Sequence, residues 1–344
     1  MAAVEDALLL GRDRLGKGCA VMVDPHGFRL DTPVLLVIFN RPDTTAQVFE
    51  RIREARPRRL LIAADGPRPG RPEDRERCAA ARAVVERIDW PCEVLRDYSD
   101  RNLNCRCRPQ TALRWAFSRS ERVIVLEDDC IPDPSFFRFC QEMLDRYAED
   151  ARVMCVTGTN LLGKWRAERQ SYHFSLLGNS WGWASWRRAW DLYDPEMRAW
   201  GSDEARAIMS RDVFRLARSK VRVACFDLTY QGKLDAWDYQ WELCRVLQSG
   251  LTVVPSVNLV CNVGCRSDAT HTHDPSSEFA RLRVEAMRFP LRAPLGVVRD
   301  LEFERRALAL QEPWNWRLLV PAQVRDRLRP IRRAMQQAVR RRSG

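Results

Sequence analysis

The chain has 344 residues, 45% of them apolar and 30% charged. That balance excludes a disordered chain and fits one α/β catalytic body with an appended C-terminal region, or two closely packed lobes. The formal charge of +11 invites a nucleic-acid reading. However, the stretch from Val324 onward carries eight arginines against Asp326 alone, so the excess says little about the body.

No window holds 18 uncharged apolar residues, so no membrane-spanning helix is expected. Glu5 and Asp6 precede the short Ala7-Leu8-Leu9-Leu10 run without the cationic segment of a secretory signal, and a cytoplasmic location is expected. The 12 cysteines agree with this. Several fall inside apolar periodic segments, where free thiols act as small hydrophobes. None forms a Cys-x-x-Cys pair, and Cys105-x-Cys107 and Cys261-x-x-x-Cys265 are weak zinc signals.

Residues 1–30 lack periodicity and read as an N-terminal arm. The catalytic domain is expected over 31–275, with a helical C-terminal extension and basic tail over 276–344. Val34-Leu35-Leu36-Val37-Ile38-Phe39 predicts a strand buried on both faces. Asp43 is placed to cap a helix carrying Val48, Phe49 and Ile52. Leu60-Leu61-Ile62-Ala63-Ala64 predicts a second buried strand ending at Asp65-Gly66. A helix over 73–88, a short strand over 92–95, a polar loop over 97–108 and a helix over 109–118 follow. Val123-Ile124-Val125-Leu126 is a third buried strand, stopping at Glu127-Asp128-Asp129. A core helix over 134–147 and a strand over 152–156 come next. After a tryptophan-rich stretch, a helix from Asp235 to Gly250 and a strand over 251–254 are expected. This alternation predicts an α/β fold with a mostly parallel sheet flanked by helices. Ligands of such sheets bind beyond the strands' carboxyl ends, where Asn40-Arg41, Asp65-Gly66 and Glu127-Asp128-Asp129 all fall.

Three consecutive acids after an apolar strand are costly to place together unless a cation binds them. Oxygen ligands suit Mg²⁺ or Mn²⁺, with a diphosphate filling other coordination positions. Asp129 is the candidate metal ligand, and Asp128 and Glu127 would orient ribose, metal waters or nearby backbone. The plainer alternative is that the acids cap the next helix, a task open to Asp133 or Ser135.

Val123 to Asp129, followed by Pro134-Ser135-Phe136-Phe137, resembles the metal-binding segment of N-acetylglucosaminyltransferase I and related bacterial enzymes of the GT-A (Rossmann-like) fold. The similarity runs in order from Pro33 to His273. Val37-Ile38-Phe39-Asn40-Arg41 is similar to the family's first strand, whose arginine meets the nucleotide diphosphate. Ile62-Ala63-Ala64-Asp65-Gly66 is similar to its second, whose aspartate meets the base. Gly182-Trp183 looks like its acceptor-side element, Trp237-Asp238 like the pair supplying the catalytic base, and Thr270-His271 like a Ser-His near diphosphate and metal. This chain departs from the family pattern at Tyr239, where a second acid is usual, and at Asn104-Cys105-Arg106-Cys107, where glycines are.

The resemblance implies a metal-dependent glycosyltransferase taking a sugar from a nucleotide-diphosphate donor to a glycan or lipid-linked acceptor in bacterial glycan assembly. Arg41 and Arg101 would face the diphosphate, although each could be a solvated surface charge. Asp238 is the candidate general base, with Asp235 as competitor or helix cap. Trp181 and Trp183 could line a sugar, whereas Trp186 and Trp190 read as core. His271 is a candidate metal or diphosphate contact. The C-terminal segment from Val324 has apolar residues at helical spacing among its arginines. It reads either as a peripheral contact with an anionic membrane or as a helix packed on the body. Two other classes compete. A sugar-phosphate nucleotidyltransferase would want a Gly-rich loop with a lysine after the first strand, which Asn40-Arg41-Pro42 is not. A nucleic-acid-binding protein would leave the strand-end acids unexplained.

Overall fold

The computed structural model describes residues 27–208, 219–264 and 282–315. The first apolar runs become β1 (Val34–Ile38), β2 (Arg59–Ala64), β3 (Glu93–Tyr98) and β4 (Arg122–Glu127). They are joined in turn by helices α1 (Pro42–Ala55), α2 (Pro72–Val84) and α3 (Asn104–Arg119). Parallel pairing requires such crossovers, and β2, β1 and β4 pair in parallel with Leu36 opposite both Ile62 and Leu126. Residues alternate between the two faces of β1. Val34, Leu36 and Ile38 pack with Val48, Phe49 and Ile52 of α1. Leu35 and Val37 pack with Ala112, Leu113, Ala116 and Phe117 of α3.

The second half adds β5 (Cys130–Pro132), α4 (Ser135–Arg146), β6 (Val153–Thr157), β7 (Tyr172–Ser175) and β8 (Trp183–Trp186). Short helices α5 (Arg187–Trp190) and α6 (Asp203–Ile208) precede α7 (Ser219–Tyr230) and α8 (Asp238–Leu247). Then come β9 (Leu251–Pro255), β10 (Val260–Asn262) and α9 (Leu301–Asn315). The main sheet has eight strands in the order β3-β2-β1-β4-β8-β6-β9-β7, and β10 and β5 form a separate antiparallel ribbon. The mostly parallel, helix-flanked α/β sheet expected from the strand–helix alternation is therefore present. Of its two antiparallel members, β8 wedges between β4 and β6 and β7 pairs with β9 at the edge.

Several boundaries differ from expectation. Asp43 is the second residue of α1 rather than its cap; Arg41 holds the cap position and Pro42 opens the helix, where a missing N–H costs nothing. The loop expected over 97–108 is shortened from both sides, because β3 extends to Tyr98 and α3 begins at Asn104. Asn104 makes this early start possible, its side-chain oxygen accepting from the N–H groups of Arg106 (3.0 Å) and Cys107 (2.9 Å). Helix α8 starts at Asp238, not Asp235.

In the C-terminal region, α9 packs Phe303, Ala307 and Leu308 into a third apolar cluster. Glu304 fastens it to the sheet by accepting from the Leu176 N–H at 2.7 Å. Residues 282–300 carry no helix, and the basic stretch from Val324 lies outside the described residues. Among the described residues, no helix is long and apolar enough to cross a membrane.

Candidate active site

Strands β1, β2 and β3 are laid down in one direction across the sheet, after which β4 returns to the other side of β1. Strand order therefore reverses between β1 and β4, and sheets of this kind take their ligands in the crevice beyond the carboxyl ends at such a point. Arg41 follows β1 and Glu127-Asp128-Asp129 closes β4, so both flank this crevice.

The three acids are not equivalent. Asp128 is buried (7% exposed). Its Oδ2 accepts the Phe39 N–H at 3.0 Å and its Oδ1 lies 3.4 Å from the Arg41 guanidinium. Burial raises its pKa, and Arg41 pulls in the opposite direction. Asp129 meets the same guanidinium nitrogen at 2.7 Å through Oδ2, while its Oδ1 accepts the Cys130 thiol at 3.4 Å. Glu127 is pushed well above the ordinary carboxylate range, first by burial and then by Asp129, Asp238 and Asp128, with the Trp237 side chain opposing as a hydrogen-bond partner. The structure thus brings Asp238, the first residue of α8, into electrostatic reach of Glu127. Asp235 is employed elsewhere, accepting the Arg106 N–H at 3.0 Å.

Asp65 at the end of β2 is 4% exposed and ties down the segment after β3. Its Oδ1 accepts the N–H groups of Gly66 and Leu103, each at 2.9 Å, and its Oδ2 accepts the Asn102 side chain at 2.9 Å. Burial raises its pKa, and the Leu103 and Gly66 N–H groups offset this. Gly66 is needed here because a Cβ would sit 2.5 Å from the Arg101 nitrogen. The Arg101 side chain is exposed. Next door, the fully buried Asp74 accepts from the Asn40 side chain at 2.7 Å and from two guanidinium nitrogens of Arg68, at 2.6 and 2.9 Å.

The two tryptophans separate. Trp183 lies in β8, 1% exposed, stacked on Trp237 with ring centroids 5.6 Å apart. It is core rather than the sugar-facing loop wall expected from its glycine neighbour, because strand pairing with β4 turns this stretch into the sheet interior. Trp181 stays in the preceding loop, half-buried, its carbonyl accepting the Thr159 hydroxyl at 2.7 Å. Trp186 and Trp190 are both buried, as expected. His271 lies outside the described residues.

Four neighbours of the acids are not foreseen from the residue pattern. The Cys105 thiol is driven upward in pKa by burial and by Glu127, Asp238, Asp235 and Asp129. Cys130, Asn262 and Gly264 surround Asp129, with the Val263 N–H donating to the Asp129 carbonyl at 2.8 Å. Cys130 is simply the next residue of the chain, and residue type carries no signal for Asn262 and Gly264, since only the β5–β10 pairing brings them to the site.

Among the described residues, no three His, Cys, Asp or Glu side chains form a ready-made metal shell. The donor set nevertheless fits a hard divalent cation. Asp128 and Asp129 bring carboxylate oxygens to one guanidinium, and Glu127, raised in pKa first by burial and then by Asp129 and Asp238, lies within electrostatic reach of both.

No protein-family model and no curated protein matches this chain. Distant likenesses exist among solved structures. An inositol-1-phosphate CTP transferase from T. maritima is 8% identical over 83% of this chain and 98% of its own, with a TM-score of 0.38. An active-site mutant of LgtC is 11% identical over 81% and 95%, with a TM-score of 0.36. Mouse xyloside xylosyltransferase 1 is 12% identical over 77% and 100%, with a TM-score of 0.34. Likeness at this level carries no argument about activity.

Proposed function

We propose that the chain is a metal-dependent, inverting glycosyltransferase of the GT-A type. It would use a nucleotide-diphosphate sugar, uridine-linked by preference, and a hydroxyl of a glycan or lipid-linked acceptor in bacterial glycan or glycolipid assembly. One observation carries this reading: Arg41 meets Asp128 and Asp129 where β1 and β4 end, and the adjoining Glu127 is within electrostatic reach of Asp238. A crevice with excess negative charge does not attract a diphosphate unless a cation stands between them.

Asp129, with Asp128 beside it, would hold Mn²⁺ or Mg²⁺, and His271 is the proposed further contact. Such a cation, when bound, neutralises charge building on the departing diphosphate. Once a cation takes up Asp129 Oδ2 in place of Arg41, the Arg41 guanidinium can donate to phosphate oxygens in bidentate fashion. Asp65, through the segment it anchors, and Arg101 would shape the nucleotide side, with Glu127 and Asp128 toward the ribose. Trp181 would flank the acceptor, backed by the buried Trp183. Asp238 would take the acceptor hydroxyl's proton during attack, and the high proton affinity of the neighbouring Glu127 favours a proton held in that corner. A base facing the leaving group from across the sugar implies inversion at the anomeric carbon.

A thermal-shift panel of UDP-, GDP-, CMP- and TDP-sugars with and without Mn²⁺ tests the reading. The expected result is stabilisation by one nucleotide class only when metal is present. Equal shifts without metal, or none with any donor, would overturn it.

A further inference from the structure

Asp129 is held by more than Arg41, and the additional means lie on the β5–β10 ribbon. In that ribbon Asn262 stands opposite Cys130. The Cys130 thiol donates to Asp129 Oδ1 at 3.4 Å, and the Asn262 amide approaches the same sulfur at 3.8 Å. Asn262 is itself fixed, its Oδ1 accepting the Gly264 N–H at 2.8 Å. Gly264 closes the arrangement by being small: a Cβ there would fall 2.1 Å from Asp129 Oδ2 and 2.8 Å from Asp129 Cγ. Cys130 is fully buried and Asn262 is 9% exposed.

We infer that Cys130, Asn262 and Gly264 are positioning residues that hold the Asp129 carboxylate with Oδ1 turned to the thiol and Oδ2 presented to the cation. The inference rests on the transferase reading and deepens it. A carboxylate able to rotate would present either oxygen and would share its charge with Arg41 in several geometries. With Oδ1 occupied by a donor and the space beside Oδ2 kept clear by a glycine, one oxygen faces the crevice. Partners of this kind set ligand orientation in metal sites, and their removal typically costs about 10-fold to 100-fold in metal affinity. The main chain is fixed by a separate bond, Val263 N–H to the Asp129 carbonyl, so the trio acts on the carboxylate rather than on the strand.

The test is calorimetric titration of MnCl₂ into the full-length protein with UDP present, and of UDP without metal. Cys130→Ala and Asn262→Ala are expected to weaken Mn²⁺ binding about 10-fold. Cys130→Ser, which restores a hydroxyl donor toward Oδ1, should return to within about threefold of the parent. Gly264→Ala should lose the most, and UDP without metal should give no binding heat in the parent or in any variant. Far-UV circular dichroism identifies variants that fail to fold, and the Cys130 pair decides the matter if Gly264→Ala is among them. Parent-like Mn²⁺ affinity in Cys130→Ala overturns the inference and leaves the transferase reading standing. Loss in Cys130→Ala that Cys130→Ser does not recover overturns the donor role of the thiol. If the parent takes up no Mn²⁺ at all, both fall.

Discussion

The guanidinium of Arg41 lies 2.7 Å from the Asp129 carboxylate, reaching from the end of one strand to the end of its neighbour. Both side chains are mostly buried, at 16% and 14% exposure, so solvent screens the pair weakly. Removing the guanidinium leaves the acids facing one another. Arg41→Met is expected to lower unfolding free energy by about 3 kcal/mol in urea titrations, and millimolar Mn²⁺ should recover part of that loss.

The acids also set a pH dependence. Glu127 and Asp128 bind protons more tightly in the folded chain than in the unfolded one. Their contribution to stability is therefore complete at low pH and is lost as pH rises from about 4.5, the ordinary Glu value, upward through about 8 for Glu127. Metal-free protein should melt at progressively lower temperature over this range. Glu127→Gln should flatten the profile. Because protonation of Glu127 and Asp128 lowers the negative charge around the proposed cation, the Mn²⁺-induced rise in melting temperature should be larger at pH 8 than at pH 6.

Asp238 and Asp129 should separate kinetically. Asp238→Asn is expected to keep the metal-dependent stabilisation by donor while kcat falls about 10²-fold to 10⁴-fold. Asp129→Asn should lose the stabilisation itself. Equal damage to both properties in Asp238→Asn would remove it from the base role.

Gly66→Ala places a methyl group against the Arg101 backbone and the segment that Asp65 anchors. Backbone cannot yield as a side-chain tip does, so a loss of about 1–3 kcal/mol is expected. The donor's KM should rise more than kcat falls.

His173 gives a second, opposite pH signature. It is 2% exposed in β7, edge-on to Phe303 at 4.2 Å, and burial pushes its pKa down to about 4. The folded chain keeps the ring neutral, so this stability is present above the unfolded value of 6.5 and is lost as pH falls toward 4. His173→Leu should remove an acid-side loss on the order of 2 kcal/mol, read from urea midpoints at pH 7 and pH 5.

Much of this was legible in the sequence. The runs Val34–Ile38 and Leu60–Ala64 are apolar without alternation, a pattern that a strand covered on both faces sustains. Glu127-Asp128-Asp129 stands out because acids rarely end such a run. What stays hidden depends on distant partners. Trp183 looks the same in a loop as in a strand, and only its pairing with Val125 decides. Tyr172–Ser175 and Val260–Asn262 are too short to show a period and exist through β9 and β5. Pro109 argues for a later start to α3, yet Asn104 supplies enough capping to begin the helix five residues earlier.

Asn262 meets Cys130 across 132 residues of chain. Contacts of such long range carry a heavy closure cost and form late, after local strand–helix units have condensed. On a ribosome the four parallel strands can assemble while the acidic corner still lacks its far wall. Every strand of the main sheet therefore precedes that far wall, and a chain cut short before Leu259 would carry them all yet leave Asp129 without its partner across the ribbon.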